Sequence, residues 1–241
     1  MVDEVSHSPM EDPDDRAPII VERLTEEYPD STISLRYSSR LELLVAVVLS
    51  AQCTDKRVNK VTSELFKKYT APEDYADADV DELADDIYSI TYHNQKAGYL
   101  RDACRVMVEE YDGEVPDTMD DLISLPGIGR KTANVVLQHG HDIIEGIVVD
   151  THVQRLARRL GLTEARTPRA IEAELMEIVP EDAWVQFTHL LIDHGRAVCT
   201  ARSPSCDECV LEDICPSSRC TPDAVDLASG EPWDAPIRSP E

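Results

Sequence analysis

Nothing in this 241-residue chain is long and apolar enough to span a bilayer. The run Leu43 to Leu49 falls far below the ~18 consecutive apolar residues that suggest a membrane helix. No secretory leader pattern opens the sequence, so the thiols are expected to stay reduced. Strand-like alternation and internal repeats are also missing, which argues against sandwiches, barrels and solenoids. Basic residues are scarce: 23 Lys and Arg stand against 48 Asp and Glu, a formal charge of −25. A protein that holds a polyanion is expected to be basic, so any such role must rest on local clusters.

The acid is unevenly spread. Asp3, Glu4, Glu11, Asp12, Asp14 and Asp15 crowd the first 17 residues, and eight more acids fall between Pro72 and Ile87. Elsewhere Arg130, Lys131, Arg155, Arg158 and Arg159 cluster, and Lys56, Arg57 and Lys60 follow Gln52. The overall acidity resembles the composition of salt-in halophiles, and a charge of this size self-repels at low salt. Residues 1–17 and 221–241, acidic or proline-rich, are expected to be disordered tails. Between them the pattern is helical: Leu100, Cys104, Met107 and Val108 share one face, as do Ile171, Leu175, Ile178 and Val179. Trp184, Phe187, Leu191 and Val198 line another face and deliver the chain to Cys199. The length suffices for a substantial core in one domain or two.

The most informative stretch is Leu125-Pro126-Gly127-Ile128-Gly129-Arg130-Lys131. Gly127 and Gly129 let the chain turn tightly, because glycine tolerates positive φ. The helical pattern Met119 to Ile123 precedes them and Lys131 to Leu137 follows. A helix start offers unpaired N–H groups and a positive dipole end, which suit a phosphate. Taken alone, such a turn more often joins two core helices.

Four of the seven cysteines, Cys199, Cys206, Cys209 and Cys215, form a C-x6-C-x2-C-x5-C loop. Disulfides fit poorly with reduced thiols. A zinc ribbon brings two close pairs together, and only Cys206 and Cys209 are a close pair here. Iron–sulfur clusters accept irregular spacings, so spacing alone leaves both metals open. Downstream of the turn, Val149-Asp150-Thr151-His152 places Asp150 as an N-cap for a helix carrying Val153, Leu156, Ala157 and Leu160.

Together the glycine turn, the Val-Asp-Thr-His segment and the four-cysteine loop resemble the endonuclease III family of base-excision DNA glycosylases. The resemblance extends to Leu43 through Gln52 and to Asn94-Gln95-Lys96-Ala97, and it covers residues 18 to 216. It implies an all-α helix-hairpin-helix fold of two helical halves flanking a cleft, with a C-terminal iron–sulfur loop. One half would comprise 18–32 plus 145–220. The other would be 33–144, with the hairpin near 118–137, and Lys131 and Asp150 would lie on opposite walls.

What the resemblance implies chemically is a bifunctional glycosylase and abasic-site lyase acting on double-stranded DNA with oxidised pyrimidines. Lys131 would be the nucleophile, its neutral amine favoured by partial burial and by the positive end of its helix. Asp150 would stabilise charge on the sugar and assist proton transfers. Gln52, Gly127, Gly129, Arg130 and Arg202 would contact DNA, with Gln52 at the wedge position, and Tyr92 stands where an aliphatic wedge is expected. Cys199, Cys206, Cys209 and Cys215 would hold a [4Fe-4S] cluster. A cytoplasmic, nucleoid-associated monomer with no membrane contact is expected. Rival readings are an adenine-mismatch monofunctional glycosylase and a non-catalytic helix-hairpin-helix protein with structural zinc.

Overall fold

The structure is a computed structural model that describes residues 12–221 and 224–233. It divides into two compact units, Met1–Ile33 with Gly146–Glu241, and Ser34–Glu145. Helices dominate both, in the class expected. Among the described residues no helix is long and apolar enough to cross a membrane.

The unit formed by Ser34–Glu145 is organised around α2 (Arg40–Ser50). Ser39 caps it by accepting from the Glu42 N–H, and Leu41 and Leu43 through Leu49 are all buried. A helix apolar on every side belongs in an interior. Against it pack α3 (Asp55–Lys68) and α6 (His93–Glu110), and the short α4 (Pro72–Ala76) and α5 (Val80–Asp86) pack on α6. Leu100, Cys104 and Met107 of α6 are buried as their spacing requires, while Val108 is only partly covered. Then come α7 (Met119–Ser124) and α8 (Arg130–Val136), the latter passing directly into a π-helical turn, Leu137–His141. Each large aliphatic side chain fully buried here contributes about 1.5–3 kcal/mol relative to exposure.

In the other unit α1 (Pro13–Glu27) starts well inside the acidic stretch expected as a tail. The reason is local: Asp12 accepts from the Asp14 N–H, Pro13 opens the helix, and Asp14 and Asp15 face the positive dipole end. Arg16 is buried and donates to the Leu160 and Gly161 carbonyls, tying the helix down at once. Packed with α1 are α9 (Thr151–Arg159), α10 (Pro168–Ile178) and α11 (Trp184–Ala197). Ile20, Leu24, Val153, Leu156, Ile171, Leu175, Phe187 and Leu191 form this core.

Short 3-10 turns at Cys206–Glu208 and Glu212–Ile214 follow α11. Within the segment expected to be a C-terminal tail, β1 (Val225–Asp226) pairs antiparallel with β2 (Glu231–Pro232). The hairpin turns at Gly230, whose φ is +81°.

Candidate functional site

The glycine turn lies between α7 and α8. Thr118 caps α7 by accepting from the Asp121 N–H. The Ile128 N–H then donates to the Leu125 carbonyl at 3.1 Å. Gly127 has φ +78°, whereas Gly129 is extended at φ −99°. Only the first glycine therefore serves the turn conformation, which corrects the expectation that both do. A Cβ on Gly129 would meet nothing within 4 Å, so its bareness keeps the N-terminus of α8 open from outside. Gly129 offers α8 no side-chain cap, and the first turn holds no acid but the exposed Arg130 and Lys131. Cations there oppose the helix dipole, an arrangement that suits an approaching anion. Lys131 is exposed rather than partly buried as expected.

Two more exposed residues of the same unit adopt left-handed backbone, Gln52 at φ 54° and Tyr92 at φ 58°. Non-glycine residues enter that region at a cost, so surrounding contacts must hold them. Lys96 braces the backbone just before Gln52. It is 5% exposed, and its Nζ donates to the Leu49 carbonyl at 2.8 Å and the Ala51 carbonyl at 2.6 Å. Its own N–H donates to the Tyr92 carbonyl at 3.0 Å. Burial pushes the Lys96 ammonium below the ordinary lysine range, yet the carbonyls at the end of α2 favour the charged form. Lys96 therefore links the end of α2, which presents Gln52, to the start of α6, which presents Tyr92. Sequence reasoning gave Lys96 no role, although a lysine on the stripe of Leu100 and Cys104 signals burial.

Asp150 caps α9. Its Oδ1 accepts from the His152 and Val153 N–H groups, each at 2.8 Å. Both bonds fall on one oxygen, so the cap fixes the carboxylate while Oδ2 takes no part in it. Capping and chemistry are compatible roles for this residue. Asp150 belongs to one unit and Lys131 to the other.

The four cysteines of the C-terminal loop line one space. None of them is in a disulfide. Burial pushes the Cys209 and Cys215 thiols up to about 12 and raises Cys206 as well. Thiolates in such a place need a compensating cationic centre. Among the described residues no three His, Cys, Asp or Glu side chains are placed to hold a metal ion. The four thiols share one space, a donor set that an iron–sulfur cluster accepts. His194 is held neutral by burial, its pKa lowered to about 4. Its Nε2 lies 3.4 Å from Cys209 Sγ, and the Tyr28 hydroxyl lies 3.1 Å from Nδ1. With Nε2 protonated, the tyrosine donates to the ring and the ring donates to the sulfur. Arg159 donates to Cys199 Sγ at 3.4 Å. Arg202, in the loop between the first two cysteines, is exposed.

A helix-hairpin-helix whose turn uses one positive-φ glycine, joined in sequence to a four-thiol chamber, marks a class of DNA-repair protein. The model of the HhH-GPD superfamily of base excision DNA repair proteins matches residues 45–181, and that of the iron–sulfur binding domain of endonuclease III matches 199–215. The chain belongs to the endonuclease III family. It is 50% identical over 204 residues to the endonuclease III of Synechocystis sp., covering 85% of this chain and 93% of that protein. Against the endonuclease III of Escherichia coli identity is 40% over 196 residues, covering 81% and 92%. A solved trapped endonuclease III–DNA covalent intermediate overlays with a TM-score of 0.80 at 41% identity, covering 84% of this chain and 95% of that one. A thermostable thymine-DNA glycosylase shares the fold, with a TM-score of 0.74 at 24% identity.

Proposed function

We infer that this protein is a bifunctional DNA glycosylase and abasic-site lyase of base-excision repair, acting on double-stranded DNA with oxidised pyrimidines. The observation that carries the reading is the exposed Lys131 in the first turn of α8, directly after the glycine turn. A related endonuclease III has been trapped as a covalent intermediate with DNA, and covalent chemistry needs such a nucleophile.

In this reading the target nucleotide leaves the stack, as any enzyme acting on a duplex base requires. Gln52 enters the gap and Tyr92 meets the opposite strand. The backbone at Gly127 and Gly129, with Arg130, grips phosphates, and Arg202 adds a contact from the cysteine loop. The neutral Lys131 amine attacks C1′, and the C1′–N bond to the base breaks with the base taking a proton. The nitrogen then loses one proton, and the C1′–O4′ bond breaks with O4′ taking a proton, which opens the sugar and leaves an iminium, the protonated Schiff base, at C1′. Removal of a C2′ proton then expels the 3′ phosphate by β-elimination, and water releases the enzyme. Asp150 stabilises positive charge on the sugar and relays these protons, as carboxylates do in glycoside hydrolysis. The [4Fe-4S] cluster, held by Cys199, Cys206, Cys209 and Cys215, supplies a cross-link that fixes the C-terminal loop. Such an enzyme works in the cytoplasm, on the nucleoid.

The experiment is product analysis on a duplex with one thymine glycol. Release of the free base and a nick ending in a 3′ unsaturated aldehyde and a 5′ phosphate are expected. Base release that leaves an intact abasic strand would instead make the enzyme monofunctional.

A further inference from the structure

The cysteine chamber has a wall that the iron–sulfur family model, ending at residue 215, does not include. Ser217, Ser218 and Trp233 line the same space as the four thiols. Trp233 stands at the end of the β1–β2 hairpin, and four separate contacts hold that hairpin in place. Its indole N–H donates to the Ser217 carbonyl at 3.0 Å. The Leu227 N–H donates to Ser217 Oγ at 3.0 Å, and Arg158 donates to the Leu227 carbonyl at 2.9 Å. The fourth contact is a paired arginine and carboxylate: Arg159 Nε and Nη2 reach Asp226 Oδ1 and Oδ2 at 3.0 and 2.9 Å.

Arg159 is the hub. It is 2% exposed, and besides Asp226 it donates to the Thr200 and Ala201 carbonyls at 2.7 and 2.9 Å, and to Cys199 Sγ. The Trp233 ring lies 4.9 Å from its guanidinium carbon and 5.4 Å from that of Arg219. One buried cation thus touches the first cysteine, the backbone beside it and both ends of the hairpin. A bidentate, aromatic-stacked geometry of this kind requires arginine rather than lysine. A cluster bound by four thiolates is anionic, and Arg159 sets a positive charge against it.

We propose that the hairpin of residues 224–233 is a lid on the cofactor chamber, latched by Arg159, Asp226 and Trp233, that keeps water, oxidants and chelators from the cluster. The inference rests on the cofactor assignment, so iron and labile sulfide in the full chain are measured first. About four of each per chain establishes the cluster independently of the lid. The loaded protein is then exposed to ferricyanide with a ferrous chelator, and the visible absorbance and sulfide release are followed. Trp233→Ala and Asp226→Asn should bleach several-fold faster than the unaltered chain. Trp233→Phe keeps the ring over Arg159 and should bleach close to the wild-type rate, which separates covering from general loss of folding. Should Asp226→Asn fail to hold a cluster at all, the contrast of Trp233→Ala with Trp233→Phe decides. Equal rates for both tryptophan variants and the parent would overturn the lid.

Discussion

The ring of Tyr99 occupies the space into which a side chain at position 127 would project: a Cβ on Gly127 would lie 2.5 Å from Tyr99 Cγ. The glycine turn therefore rests directly on α6, and Gln95 steadies the ring by donating to the Tyr99 hydroxyl at 2.9 Å. The position of the turn is thus set by packing from below as well as by its own backbone.

The two glycines should consequently fail differently. Gly127→Ala must hold an L-residue at positive φ, a cost of about 1–2 kcal/mol, and must also displace Tyr99. It should lower the thermal midpoint and weaken DNA binding together. Gly129→Ala has permitted backbone and open space, so it should leave the midpoint unchanged and weaken binding alone. Thermal unfolding and fluorescence anisotropy on an uncleavable abasic analogue check both.

Lys96→Met removes the donor to two carbonyls at the end of α2. The buried Leu49 carbonyl left without this partner costs about 1–3 kcal/mol, and the backbone just before Gln52 loses its brace. Activity on a thymine glycol duplex should fall more than nicking at a preformed abasic site, because an abasic site needs less unstacking. Equal losses on both substrates would make Lys96 a matter of stability only.

Asp150→Asn keeps a residue that caps helices nearly as well as Asp. Stability should change by less than about 1 kcal/mol, and DNA affinity should be retained. Turnover should fall by at least about tenfold, the equivalent of 1.4 kcal/mol of barrier. Single-turnover rates alongside unfolding curves separate the two effects.

The formal charge of −25 also makes a prediction. At about 0.1 M salt the Debye length is about 10 Å, and at 1 M about 3 Å, so repulsion among the acids of α4 and α5 fades as salt rises. Counterion release works against DNA binding over the same range. Folding stability should rise from low to molar potassium chloride, with activity rising alongside it. A fall in both above 0.1 M would mean the acidity has no bearing on salt.

Features that act over short sequence distance were readable before the fold. Gly127 with Pro126, the cap at Asp150 and the periodic faces of α6, α10 and α11 each need only a few neighbouring residues. The cysteine loop was readable as four ligands, but its spacing left zinc and a cluster both open, and the match of residues 199–215 to the iron–sulfur binding domain of endonuclease III decides between them. Composition misled at residues 12–17 and 224–233, because tail-like acid and proline also encode the Asp12-Pro13 helix start and the Gly230 turn, while the rest of both expected tails lies outside the described residues. The latch at Asp226 depends on Arg159, 67 residues away, and no local pattern announces such a pair. Gly129 looked equivalent to Gly127 in sequence because a shared residue type conceals opposite backbone demands.

The central claim, that Lys131 is the nucleophile, is tested most directly by borohydride trapping on abasic-site DNA. The loaded wild-type enzyme should give a stable protein–DNA adduct whose cross-linked peptide contains Lys131. Lys131→Ala, with its iron content and unfolding curve unchanged, should give neither adduct nor nick. A normal yield of adduct from that variant would contradict the account and assign the chemistry to another amine.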